Sequence, residues 1–259
     1  MVIPTPESKL SGWRVGVLQP LLLILGIAQP LQVHGQQDAF GGLRKQPTTL
    51  RWWHGAAVLG GLSALMLLDQ PTQRYVQGHR SASMNAVAGT VRRFGQIEVY
   101  GTVTAGILAA GLLSGDDGLT RAGGRLAATL ALTGATSSLS KLVLGRPRPS
   151  HSLDADGYVP FSGQEAMPSG HTAIAFALAT SLADEIDRTW ASVGLYTLAT
   201  SVGWSRINDD RHWLTDIAAG AVLGITTSKV VSGRWGIFGL RPPSILLGPS
   251  PGVGWQVAF

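Results

Sequence analysis

The 259-residue chain contains no cysteine. Disulfide staples, thiol nucleophiles and thiolate metal sites are therefore excluded. Charge is scarce too: Asp, Glu, Lys and Arg make up 14% of the residues, against 45% hydrophobic ones. Helices of that composition are buried on most sides, either in protein or in lipid. No His/Cys cluster or cage of carboxylates stands at metal-ligand spacing, so the sequence implies no resident metal. The net charge is +5, yet there is no long basic run and no interleaving of basic and aromatic residues. Nucleic acid is thus a poor partner, and anionic substrates or a membrane surface suit the charge better. No internal repeat or low-complexity tract interrupts the chain.

What is present reads, in order, as an export signal followed by apolar helices. Lys9 and Arg14 precede an apolar run at 15–33, and Gly35 then leads into polar residues. This pattern predicts a signal peptide over 1–35, with an uncleaved anchor helix as the alternative. Residues 36–51 form a polar, Gly-rich linker. Apolar segments at 52–68, 97–113, 122–144, 170–182, 190–204 and 212–231 predict helices, with a short amphipathic helix inside the more polar stretch 69–95. A long irregular loop is expected over 145–168, where prolines and glycines concentrate. In the tail, 233–259, alternation of Val253, Trp255, Val257 and Phe259 after a Gly-Pro-Ser-Pro-Gly turn predicts a small β-hairpin. The fold class is all-α, with a helical domain over 52–232.

Three blocks carry the chemistry. The first, KLVLGRPRP at 141–149, sends Lys141 and Arg148 out of a helix into a proline-stiffened loop. A planar guanidinium and a point-charge ammonium can converge there on one anion. The second, PSGH at 168–171, puts Ser169, Gly170 and His171 at a helix start. Free N–H groups at such a terminus bind anions, Gly170 allows close approach, and the Ser169 hydroxyl can donate to the same oxygen. The third, SRINDDRHWLTD at 205–216, holds Arg206, His212 and Asp216. If His212 lies on a helix, Asp216 four residues on shares its face and can fix the imidazole tautomer, leaving the other nitrogen as a nucleophile. Asp209 and Asp210 fit the start of that helix. Each block alone is a weak signal. Together they supply three cations, a helix-terminal nest, two histidines and an orienting carboxylate, an inventory suited to a tetrahedral oxyanion.

With these blocks in view, the chain resembles the type 2 phosphatidic acid phosphatase superfamily, which includes nonspecific acid phosphatases and vanadium haloperoxidases. The family pattern K-x6-RP, PSGH, SR-x5-H-x3-D is matched at every position from Lys141 to Asp216. The resemblance implies a six-helix bundle over roughly 50–232. It also implies that His212 attacks phosphorus, Asp216 orients it, and His171 protonates the leaving group. Lys141, Arg148, Arg206, Ser169 and Gly170 would hold the phosphoryl oxygens. Arg146 and Trp213, inside the blocks but outside the pattern, are expected to pack around the site. The roles require a neutral His212 and a protonated His171, hence environments that push the two pKa values apart.

The function expected is a metal-independent phosphatase without cofactor, acting on phosphate monoesters or pyrophosphates. Lipid phosphates such as phosphatidate or undecaprenyl pyrophosphate are the expected substrates, with association to a membrane. One alternative is a vanadium-dependent haloperoxidase, in which His212 would ligate vanadate. Another is a non-catalytic envelope protein that binds anionic lipid. The resemblance implies a site that faces away from the cytoplasm, in the periplasm or cell envelope, as in family members that span the membrane; behind an export signal, six spanning helices would instead turn the motif loops to the cytoplasmic side. Short, polar helices favour an exported bundle that does not span; a multi-pass inner-membrane protein is the alternative.

Overall fold

A computed structural model of the chain describes residues 48–152 and 154–237, and the backbone of two strands at 244–246 and 252–254. All of these lie in one unit, Lys45–Phe259. The export signal expected over 1–35 and most of the linker lie outside the described residues.

The described chain begins with strand β1 (Thr48–Leu50) and helices α1 (Trp52–Met66), α2 (Asp69–Gly78) and α3 (Ala82–Val91). A 3-10 turn at Arg92–Gly95 leads to α4 (Ile97–Ser114) and α5 (Asp117–Leu144). After the expected irregular loop come α6 (Gly170–Ile186), α7 (Thr189–Asn208) and α8 (Leu214–Val231), then strand β2 (Trp235–Ile237). Strands β3 (Ser244–Leu246) and β4 (Gly252–Gly254) pair antiparallel, which is the expected hairpin. Six long helices make the all-α bundle that the sequence predicts, but the stretch 69–95, where one short helix is expected, holds two and a 3-10 turn. The linker, by contrast, is not structureless at its end. Thr48–Leu50 pairs in parallel with Trp235–Ile237, so the two flanks of the helical domain meet.

Local signals explain the helix limits. Asp116 caps α5 by accepting from the N–H groups of Gly118 and Leu119 at 2.7 and 3.0 Å, so this helix starts earlier than its apolar run. It stops at Gly145, whose φ of +56° puts it in the left-handed region. A Cβ there would also lie 1.8 Å from the Val159 carbonyl oxygen of the following loop.

Helix α6 is the axis of the bundle. It packs on α5 through Leu126, Leu130, Ile174 and Leu178, and on α7 through Ala175, Ala179, Ala199 and Val202. Its contact with α8 is closer still. A Cβ at Gly224 would sit 2.2 Å from the Ala173 carbonyl oxygen, and one at Gly220 would sit 2.6 Å from that of Ser169. Two glycines four residues apart thus let the α8 backbone touch that of α6. This contact fixes the PSGH turn against the segment that carries His212 and Asp216.

Three helices, α4, α5 and α8, are long and apolar enough to cross a membrane. Their outer faces, and most of α1, lack protein cover. Leu113 is 90% exposed, and α1 has no buried residue while baring Trp52 and Leu59. Inside, hydroxyls pair across helices: Thr133 with Thr227 at 2.6 Å and Ser181 with Ser228 at 2.9 Å. Such pairs satisfy polar groups that lipid cannot. Of the two arrangements weighed on the sequence, this surface supports the membrane-embedded one.

Candidate active site

The three blocks meet at one end of the bundle. They surround a cavity of about 500 Å³ whose wall includes Lys141, Arg148, Gly170, His171, Arg206 and His212. Lys141 reaches it from the last turn of α5 and Arg148 from the loop beyond. His171 comes from the first turn of α6 and Arg206 from the last turn of α7. Two of the eight expected site residues do not line it. Ser169 and Asp216 are fully buried behind the wall.

His212 is not on a helix. Helix α7 continues through Asn208, and α8 begins at Leu214. The expected helical His–Asp face is therefore replaced by an extended turn. Asp209 and Asp210 belong to the end of α7 and not to the start of α8. Asp209 accepts from Arg206 at 2.7 Å and from Arg92 at 3.2 Å. Asp210 takes φ +56° and accepts from Gln73 at 2.8 Å.

The turn still holds the imidazole firmly. His212 Nδ1 lies 2.7 Å from the Ala166 carbonyl oxygen and 3.6 Å from Asp216 Oδ2. A carbonyl oxygen can only accept, so Nδ1 carries the proton and Nε2 keeps its lone pair. Asp216 is at ion-pair distance, too far for a direct hydrogen bond. Its Oδ2 instead accepts the Trp213 N–H at 2.8 Å, which caps α8, and its Oδ1 accepts from Arg146 at 2.6 Å.

Arg146 is more than packing. It is fully buried and spans two carboxylates, donating to Asp216 and, at 2.5 Å, to Asp69 Oδ2, while its Nε donates to the Ala155 carbonyl at 2.9 Å. Its guanidinium carbon lies 5.2 Å from the Tyr158 ring centre and 5.7 Å from that of Trp213. Burial acts to lower the Arg146 pKa, but Asp216 and Asp69 outweigh it and raise the value. Asp69, the first residue of α2, also accepts from the Thr215 N–H at 2.7 Å and its hydroxyl at 3.0 Å. It thus ties α2 to the start of α8 and, through Arg146, to Asp216.

The cavity is strongly cationic. Arg80, Arg92 and Arg211 line it beside the three expected cations, and Asp209 is the one carboxylate among the lining residues. Arg206 Nε is buried without a hydrogen-bond partner among the described residues. Ser169 offers no side-chain cap to α6, so the first N–H groups of this helix stay open beside Gly170. Both histidines titrate low. Burial, then the charges of Arg206 and His212, bring His171 down to about 4, and burial also lowers His212 against the pull of Asp216. Burial and the charges of Arg206 and Lys141 act on both rings in the same direction.

Residues 122–235 match the PAP2 superfamily model. Over 108 residues, 41% of this chain, the sequence is 39% identical to Lipid A 1-phosphatase from Porphyromonas gingivalis. The matched stretch spans only 22% of that curated relative's length. The crystal structure of Aquifex aeolicus LpxE is similar with a TM-score of 0.50 at 21% identity, covering 64% of this chain and 94% of that one. The transmembrane PAP2 type phosphatidylglycerolphosphate phosphatase from Bacillus subtilis gives a TM-score of 0.51 at 18% identity, covering 70% and 92%. At these identities the two structures show a likeness of fold alone to the helical domain.

Sequence reasoning missed five residues of this site. Asp69 had one signal, a lone carboxylate directly after an apolar run of helix length. Arg211 had another, as an arginine inside the third block, whereas Arg80 and Arg92 stand far from the blocks in sequence and were marked only as cations of the polar stretch 69–95. The Ala166 carbonyl had none, since any residue supplies one.

Proposed function

We propose that the chain is a metal-independent phosphatase of lipid phosphates, working through a phosphohistidine on His212. The observation that carries this reading is the single cavity in which the unprotonated Nε2 of a buried histidine faces a wall of cations. Phosphoryl transfer needs little beyond positioning and charge stabilisation, and these groups supply both. The Ala166 carbonyl and Asp216 hold the His212 ring. Lys141, Arg148, Arg206 and the N–H groups at Gly170 bind the phosphoryl oxygens. Ser169 contributes from behind the wall, where its Oγ accepts from Thr172 at 3.0 Å.

Nε2 attacks phosphorus in line and forms an N–P bond as the P–O bond to the lipid breaks. His171 gives its proton to the departing alkoxide. Water then attacks the phosphohistidine, losing a proton to His171, and the N–P bond breaks to release phosphate. A substrate dianion supplies the negative field that lifts His171 from its low value, so the acid is armed as substrate binds.

A lipid substrate follows from the uncovered apolar helices around the cavity's end of the bundle, and from the name of the Porphyromonas gingivalis relative. Phosphatidate and undecaprenyl pyrophosphate are the classes to test. The chain is read as an export signal over 1–35, a linker, the PAP2 domain over 52–232 and a tail, with the cavity facing away from the cytoplasm. Phosphate release by purified wild type and His212→Ala, in detergent with EDTA, tests the reading. Release from a lipid phosphate that persists in EDTA and disappears in His212→Ala supports it. Release that needs added metal, or that survives His212→Ala, overturns it.

A further inference from the structure

The two histidines of the cavity are held in different ways. The Ala166 carbonyl fixes the His212 ring, whereas the His171 ring makes no hydrogen bond among the described residues. A group that hands a proton to one oxygen needs its direction set. For His171, packing has to supply what no hydrogen bond does.

That packing comes from outside the three blocks. The 3-10 turn Arg92–Gly95 lies against the first turn of α6, with Gly95 buried. A Cβ at Gly95 would stand 2.8 Å from the His171 carbonyl oxygen, 3.1 Å from His171 Cβ and 3.1 Å from Val202 Cγ1 on α7. Only a residue without a Cβ permits so close an approach to a backbone oxygen. Val202 is fully buried, so the turn has no room to retreat toward α7. The turn is also tied along its length. Arg92 donates to Asp209, at the end of α7, at 3.2 Å, and the Gln96 N–H donates to the Arg93 carbonyl at 3.0 Å. Arg92 and Gln96 line the cavity together with His171, so the turn and the acid share one stretch of wall.

We propose that Gly95 is a positioning residue for the general acid: its contact with α6 sets the direction in which His171 faces the leaving oxygen. The inference rests on the phosphatase reading and acts through His171 alone. Its consequence is a dependence on the leaving group. The alkoxide of phosphatidate departs only with a proton from His171, whereas p-nitrophenolate departs without one. A misdirected acid therefore penalises the first and spares the second.

The test compares kcat/KM, which covers the steps through P–O cleavage, for phosphatidate, phenyl phosphate and p-nitrophenyl phosphate. It uses purified full chain in detergent with EDTA. Gly95→Ala should lower the value about ten- to a hundredfold for phosphatidate, less for phenyl phosphate, and about threefold or less for p-nitrophenyl phosphate. A merely structural defect lowers all three alike. His171→Gln gives a second readout. With the acid already gone, adding Gly95→Ala should cost phosphatidate turnover about twofold or less, where independent effects would multiply. Val202→Ala loosens the same contact from the α7 side and should give a weaker form of the same leaving-group pattern; it decides the matter if Gly95→Ala does not fold. Losses that rank with leaving-group basicity and vanish in the His171→Gln background support the proposal. Equal losses for the three esters, no loss, or losses that multiply in the double variant overturn it. Failure of the phosphatase reading itself looks different: phosphate release then survives His212→Ala.

Discussion

Asp69 touches neither the cavity nor any residue of the three blocks except through Arg146 and Thr215, yet its removal should disable the site. In Asp69→Ala, Arg146 keeps one carboxylate of two and remains fully buried, and the Thr215 N–H and hydroxyl lose their acceptor. Breaking a buried ion pair from one side costs about 3–5 kcal/mol, because the remaining charge stays desolvated. For a domain of this size that corresponds to a fall in Tm of about 10 °C, readable by thermal shift in detergent. The kinetic signature separates positioning from mere stability. Freed on one side, Arg146 can swing Asp216 from its place 3.6 Å from His212 Nδ1, so kcat should fall about ten- to a hundredfold at temperatures where the variant is folded, with KM little changed. Asp69→Asn should keep an acceptor for Thr215 but present Arg146 with an amide, and so recover part of the stability and little of the rate. A double-mutant cycle with Arg146→Met completes the test. If Asp69 acts through Arg146, the two changes are coupled by about 1 kcal/mol or more. An Asp69→Ala protein with unchanged Tm and kcat, or a cycle that adds without coupling, would refute this reasoning.

Two further outcomes are expected. Gly220→Ala and Gly224→Ala place a Cβ against the backbone of Ser169 and Ala173, which should each cost about 1–3 kcal/mol by overpacking. Gly220→Ala should in addition lower kcat, because the PSGH turn sits directly opposite; equal rates in the two variants would count against α8 as the support of that turn. The pH dependence follows from the lowered histidines. A base must be unprotonated and an acid protonated, and with His171 near 4 and His212 also lowered, the optimum of kcat/KM, which reports the free enzyme, should lie on the acid side of an ordinary histidine. The optimum of kcat should lie at higher pH, since bound phosphate raises His171. Coincident optima at or above pH 7 would show that substrate does not arm the acid.

How much of this was legible in the sequence can be judged residue by residue. The helices were readable because apolar runs bounded by glycine, proline and capping carboxylates leave few other structures, and the six long helices fall where those runs stand. The hairpin was readable from period-two alternation across a turn. Lys141, Arg148, His171, Arg206 and His212 were readable as one site because three fixed spacings in a set order rarely coincide. The reasoning about His212 was not right in its geometry. A spacing of four from His212 to Asp216 predicts one helix face, whereas α8 starts only after His212. Whether a helix begins one turn earlier or later depends on which tertiary partners take its free N–H groups, here Asp69 for Thr215 and Asp216 for Trp213.

What the sequence alone determined is therefore the inventory and the framework: apolar helices, no thiol or metal chemistry of cysteine, and the histidines and cations that meet at the cavity. What only the tertiary structure decided is the support of that site. It brought Asp69 to Arg146 across 77 residues of chain and the Ala166 carbonyl to His212 across 46, and it gathered Arg80, Arg92 and Arg211 onto one wall. Spacing along a chain specifies neighbours only within a helix or a strand. Contacts at these separations are set by how the helices pack, and here that packing depends on two glycines that let α8 lie directly on the backbone of α6.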